Sequence, residues 1–359
     1  MHPRALPVLL LVFLALCAAL FAQGHSPVAT DLVGIASLSP AARASLQRFG
    51  PPLEVHPSLV LNRDGSRLLI GDGSSSAYVW NVRAHRLLHS FKAIPEGGSF
   101  VAFTPLETQV FMSSAVIEAP HNRMVRPFPL SQSTVAVNAQ GTRLLGFEDQ
   151  TLTLWDLASG RRLQTFGRGP TASSYRSSAG WMALSADGSQ IAVADEARRV
   201  RVWDSRSGKL TQWLESGMDV LGALAFSPDG SRLLLGGSVT PFWPTDAVAV
   251  KVWDLEQRRW TGQFKAPGGE AVSVAMSADG SSILAGHRSP ERSGLWPVIR
   301  RGQQSLERFQ VLMWDTRTGA RSTLFERVQS SGAWTPLAFS ADGSRVALEV
   351  GGEVWVFTP

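Results

Sequence analysis

Ala223-Leu-Ala-Phe-Ser-Pro-Asp-Gly-Ser-Arg-Leu-Leu-Leu-Gly236, followed by Val250-Lys-Val-Trp-Asp254, is the stretch that decides the architecture. Two apolar runs flank Asp229-Gly230. Glycine adopts a positive φ at little cost, and aspartate can accept hydrogen bonds from its own turn backbone. Asp-Gly between apolar runs therefore predicts a tight hairpin. The run ending in Trp253-Asp254 predicts a third strand.

The unit recurs along the chain. Copies of the hairpin read at Trp181–Val193, Val274–Leu284, Leu337–Leu348 and Val60–Ile70, with a weaker one at Val135–Leu145. A seventh, Val101–Phe111, matches position by position but lacks Asp-Gly. The third strand recurs as Leu152-Thr-Leu-Trp-Asp156, Val200-Arg-Val-Trp-Asp204 and Val311-Leu-Met-Trp-Asp315. Partial copies end at Asn81 and at Val354-Trp355. A fourth strand follows with an apolar-x-x-aromatic signature at Leu88–Phe91, Val125–Phe128, Leu163–Phe166, Leu210–Trp213, Thr261–Phe264 and Ser322–Phe325.

Ser-x-Asp-Gly-Ser followed by Val-x-Val-Trp-Asp, at intervals of roughly 40 to 60 residues, resembles the WD repeat. The resemblance covers about residues 44–359 and implies an all-β, seven-bladed β-propeller of four-stranded blades, with six blades as the alternative. One departure stands out: no Gly-His pair precedes the first strands, so the hydrogen-bond network that WD repeats build on that histidine is not expected. The last repeat stops at Pro359 with three strands. Leu46-Gln-Arg-Phe49 carries the missing fourth-strand signature and would complete that blade, which removes an open sheet edge. The competing reading is a helix, from Ser39-Pro40-Ala-Ala-Arg-Ala44; a short helix at 40–44 is compatible with both.

The 359 residues include 33 glycines and 21 prolines, spread as many short strands require, and 44% are hydrophobic, enough for a packed core. Net charge is +5. Residues 1–22 read as an export signal: His2 and Arg4, an apolar run from Leu6 to Leu20, then small residues. Residues 23–43 read as a linker. Retained, the segment would be an N-terminal anchor; removed with Cys17, it leaves no thiol. An exported location, periplasmic or extracellular, is expected.

In WD-type propellers the connections from second to third strand, and from one blade to the next, share one end. Every long connection here belongs to that class: Gly167–Gly180, Gly237–Asp246, and about 22 residues from His287 to Phe309. Long loops on a rigid scaffold commonly carry binding residues. Trp243 and Trp296, each before proline, and the cations Arg288, Arg292, Arg300 and Arg301 are the candidate contacts. His25, His56, His85, His89, His121 and His287 show no metal-ligand spacing, and no nucleophile or phosphate motif occurs. Glu148-Asp149 and Asp195-Glu196 fall in turns between second and third strands and are expected to be exposed. No catalytic site, metal or cofactor is expected. The expected function is a protein-binding scaffold of the bacterial envelope. A carbohydrate or anionic-polymer binder is the first alternative, and an enzyme at the central channel the second. No nucleic-acid partner is expected, and membrane contact only through a retained N-terminus.

Overall fold

The computed structural model describes residues 40–50, 58–72, 76–91, 100–106, 108–112, 114–119, 121–130, 135–148, 151–168, 182–195, 198–239, 246–290, 306–330, 337–340, 342–350 and 353–359. Apart from one short helix, α1 (Pro40–Ala44), its regular elements are strands in seven four-stranded sheets. Blade 1 holds β2 (Ser58–Leu61), β3 (Arg67–Gly71), β4 (Ala77–Asn81) and β5 (Arg86–Phe91). Blade 2 holds β6 (Val101–Phe103), β7 (Gln109–Met112), β8 (Ala115–Glu118) and β9 (Arg123–Pro127). Blade 3 holds β10 (Val135–Val137), β11 (Arg143–Glu148), β12 (Thr151–Asp156) and β13 (Arg162–Arg168). Blade 4 holds β14 (Met182–Leu184), β15 (Gln190–Ala194), β16 (Arg199–Asp204) and β17 (Leu210–Glu215). Blade 5 holds β18 (Val220–Phe226), β19 (Arg232–Ser238), β20 (Ala247–Asp254) and β21 (Arg259–Ala266). Blade 6 holds β22 (Glu270–Met276), β23 (Ser282–Pro290), β24 (Leu306–Asp315) and β25 (Arg321–Ser330). Blade 7 joins β26 (Leu337–Phe339), β27 (Val346–Val350) and β28 (Glu353–Phe357) to β1 (Gln47–Phe49).

The sheets are antiparallel, so each blade's first-to-second and third-to-fourth turns lie at one end and its other connections at the opposite end. We call these the short-turn end and the long-connection end. The degenerate Val101–Phe111 copy is a true hairpin, β6–β7. β1 pairs antiparallel with β28, matching Gln47 to Val356 and Phe49 to Val354, so the N-terminal strand closes the seventh blade as expected.

Turn chemistry sets the short-turn end. In blade 4, Asp187 accepts from the Ser185 hydroxyl (2.7 Å), the Ser189 N–H (3.0 Å) and the Ser189 hydroxyl (2.9 Å). Gly188 carries the positive φ of 74° that this turn demands. In blade 6 the Ser277 hydroxyl, then the Ser281 N–H and hydroxyl, hold the Asp279 carboxyl at about 2. The Trp-Asp turns work alike: Asp204 accepts from the N–H (2.7 Å) and hydroxyl (2.6 Å) of Ser207. One further bond stitches the two turns of a blade together. The residue after the third strand donates its N–H to a carbonyl in the first turn: Val82 to Ser66, Leu157 to Thr142, Ser205 to Ser189, Leu255 to Ser231 and Thr316 to Ser281.

The core is distributed. Seven apolar clusters among the described residues occupy the seven junctions between neighbouring blades. The fourth-strand aromatic reaches the third-strand tryptophan of the next blade: Phe49–Trp80 at 5.8 Å, Phe128–Trp155 at 6.3 Å, Phe166–Trp203 at 6.1 Å and Phe264–Trp314 at 6.3 Å. That aromatic lies a constant six residues after the turn's left-handed residue, as in His85/Phe91, Asn122/Phe128, Gly160/Phe166, Arg258/Phe264 and Gly319/Phe325. Blade 4 breaks the rule. Counting from Gly208 reaches Leu214, which is buried, while Trp213 of the expected signature is 59% exposed. The signature at Leu210–Trp213 was one residue out of register because a bulky aromatic stood beside the true core position.

Without a shared histidine, the indoles find separate partners. Trp314 Nε1 donates to the Lys265 carbonyl (3.0 Å) and Trp253 Nε1 to Gln212 Oε1 (2.9 Å). Those of Trp80 and Trp355 are buried with no partner among the described residues. Side-chain straps cross the junctions on either side of blade 4: Asn138 Nδ2 donates to the Ala186 carbonyl and Gln190 Nε2 to that of Gly230, both at 3.0 Å. Closure rests on Phe49, 3% exposed, which also stacks on His85 at 4.6 Å. We expect Phe49→Ala to lower unfolding free energy by about 3–5 kcal/mol. Arg48→Ala, which removes a half-exposed pair with Glu353, should cost about 1 kcal/mol or less. Urea unfolding monitored by tryptophan fluorescence checks both, and equal effects would contradict the closure.

Candidate functional site

The long-connection end is where the sequence placed its contacts. Trp243, Arg292, Trp296, Arg300 and Arg301 fall in 240–245 and 291–305, outside the described residues. The blade 6 insertion is shorter than the sequence reading made it. β23 continues through Pro290 and β24 begins at Leu306, so His287, Arg288 and Arg308 lie in paired strands. Arg288 pairs with Glu270 of β22, and Arg308 with Glu326 of β25 at 2.5 Å. Both cations are neutralised within the blade. The extension was hard to read because most of its residues are polar, with Phe309 a buried apolar residue among them, so no alternation marks the strands.

At the base of this insertion β23, β24 and β25 set His287, Gln310 and Glu326 in one cross-strand row. Gln310 Nε2 donates to Glu326 Oε2 at 2.7 Å. His287 is fully buried, and neither ring nitrogen has a partner among the described residues; Gln310 Oε1 also lacks one. Burial, then the positive charge of Arg321, push His287 down to about 4.

One further group escaped the sequence reading, and a second was expected to be exposed. Lys251 of β20 is 9% exposed and lies against the connection from blade 4 to blade 5. Its Nζ donates to the carbonyls of Ser216 (2.8 Å) and Gly217 (3.1 Å) and stands 5.0 Å from the Trp260 ring centroid. Burial lowers its pKa. No motif marks such a lysine, since its partners are carbonyls. Asp195 is buried rather than exposed in its turn. It accepts from Arg199 Nε (3.1 Å), lies 3.2 Å from the Arg201 guanidinium, and holds the Arg199 N–H at 3.0 Å. Glu148 pairs with Arg162.

The central channel is lined by first strands and their turns. It holds cavities of about 380 and 280 Å³, walled by residues such as Phe103, Val137, Leu184, Phe226 and Phe339. The polar side chains there serve the turns. Asn62 Oδ1 accepts the Arg67 N–H (2.9 Å), Ser227 Oγ donates to Asp229 (2.5 Å) and Ser340 Oγ to Asp342 (2.6 Å). Arg63 lines the larger cavity and is the ionisable residue there among the described residues. Among the described residues no three His, Cys, Asp or Glu side chains are grouped to hold a metal.

Comparison with known proteins bears on the fold. The crystal structure of the Myceliophteria thermophila Cps50 (Swd1) β-propeller domain matches with a TM-score of 0.60 at 12% identity, covering 88% of this chain and 99% of that domain. The fold is a WD40-type β-propeller. Among curated proteins, Autophagy-related protein 16 of Arabidopsis thaliana is 23% identical over 241 residues, which is 67% of this chain. The match spans 40% of that protein's length. No protein-family model matches the chain.

Buried His287 makes the propeller acid-sensitive. Its folded pKa lies near 4, below the 6.5 of a free imidazole. Stability is therefore complete above pH 6.5 and falls as the pH drops toward 4, by up to about 3 kcal/mol. Urea midpoints across that range should decline less steeply for His287→Leu than for the parent chain. Parallel pH profiles would contradict the assignment.

Proposed function

We propose that this WD40-type propeller is a non-catalytic protein-binding scaffold, exported to the bacterial cell envelope, which engages its partner through the long-connection end. The observation that carries the reading is the inequality of the two ends. At the short-turn end the backbone groups are used up in stitched turns. At the other, the chain runs through 92–99, 169–181, 240–245, 291–305 and 331–336 between strands that hold the ends of those segments in fixed places. Connections held on a rigid frame suit recognition. Trp243-Pro244 and Trp296-Pro297, on connections of adjacent blades, supply aromatic anchors beside rigid prolines. The apolar run from Leu6 to Leu20 supports export. The channel side chains are already engaged in turns, which favours recognition over chemistry.

Affinity capture from the native envelope tests this. The parent chain should retain a specific protein, and Trp243→Ala with Trp296→Ala should reduce its recovery about tenfold or more, as for hot-spot residues, with an unchanged melting temperature. Undiminished recovery by the double variant would remove these contacts from the account.

A further inference from the structure

The short-turn end carries a pattern that the function above does not use. Each third-to-fourth turn has a left-handed residue, and in blades 1 to 5 the next residue is a cation: Arg86, Arg123, Arg161, Lys209 and Arg259. All five are exposed. Arg123 pairs with Glu118, whereas Arg86, Arg161 and Lys209 have no carboxylate partner among the described residues. An apolar side chain follows at once, or one residue later in blade 3. Leu87 is 41% exposed, Met124 47%, Leu163 38% and Leu210 48%. Leu106, 55% exposed, stands in the first turn of blade 2 at the same end. Five of the six large apolar side chains exposed in the described structure therefore lie at this end, in blades 1 to 4. The sixth, Trp213, stands mid-strand on the rim.

Positive charge is in excess at the same end. The turns 81–87, 118–124, 156–163, 204–210, 254–260 and 315–321 hold eleven arginines and lysines against six aspartates and glutamates. Their net +5 equals that of the entire 359-residue chain. The seven first-to-second turns nearer the axis sum to −1, so the excess sits on the rim. The fourth strand is the outermost of each blade, and the stitched turns fix these side chains on a rigid plate.

We propose that the short-turn end docks on an anionic lipid surface through the rim of blades 1 to 4. The cations meet the headgroup charge, and Leu87, Met124, Leu163 and Leu210 enter the interfacial layer. The spacing favours a bilayer over a protein. The four rim groups, Leu87, Met124, Leu163 and Leu210, come one per blade, each on a different sheet, which is unlike the contiguous core that a protein interface builds. A fluid, charged surface accommodates separate shallow anchors, and juxtaposed lysines and arginines add to the attraction. The inference is independent of the partner proposed above, and it leaves the long-connection end facing away from the bilayer.

Co-sedimentation of the full chain with phosphatidylcholine vesicles, with and without phosphatidylglycerol, tests it. We expect binding to the anionic vesicles to be tighter by about tenfold or more, and to weaken between about 0.1 M and 0.5 M salt. Arg86→Ser with Arg161→Ser and Lys209→Ser should abolish most of that preference. The charge-preserving Arg86→Lys with Arg161→Lys and Lys209→Arg should keep it, which separates charge from folding. Met124→Gln with Leu210→Gln should weaken binding and leave its salt dependence. Three outcomes would overturn the proposal: equal binding to both vesicles, anionic binding untouched by the serine variants, or retention on soluble heparin with no vesicle binding. An apolar N-terminus acting alone would give the first, because an uncharged segment does not discriminate headgroup charge.

Discussion

Each blade presents apolar side chains on both faces of a four-stranded sheet and can cover neither by itself. The seven apolar clusters lie between blades, so each sheet's burial depends on the neighbour at either side. A ring is the arrangement in which no sheet lacks a neighbour. That makes the pairing of β1 with β28 the constraint on which the rest stands. It places Phe49 between blades 7 and 1, in the position that the fourth-strand aromatic takes at the junctions after blades 2, 3 and 5. Ala42 of α1, fully buried against blades 6 and 7, extends the same clasp.

A ring of antiparallel sheets has two ends, and the chain treats them differently. At one, aspartates and serines build tight turns whose backbones bond to each other, which fixes every side chain set upon them. At the other, strands of blade 6 run several residues further and carry an internal polar network before the chain departs. His287 is the uncomfortable member of that network, because the fold buries it without a described partner. Lys251 is the opposite case, a buried cation satisfied by two carbonyls and an aromatic face.

Blade number, the turns and the closing strand could all be read from the residues, because they rest on local rules. Asp-Gly between apolar runs specifies a turn wherever it occurs, and a missing strand at one terminus with a spare at the other specifies closure. Reading failed where the deciding contact was distant. Leu214 rather than Trp213 fills the blade 4 junction, and only the count from Gly208 reveals it. His287 and Arg288 passed for loop because burial between strands had replaced hydrophobic alternation. Asp195 passed for an exposed turn residue because its arginine partners lie on a strand still to come. The rim pattern was present in the sequence, but it becomes a surface only once five turns share one end.

Hydrogen–deuterium exchange of the intact chain tests the closed ring most directly. The amides of residues 45–50 that bond to β28 should be protected along with those of residues 353–358, because they share one ladder. Both should lose protection together under mild denaturant. Rapid exchange of 45–50 beside a protected 353–358 would mean that blade 7 has three strands and an open edge, and would contradict the account.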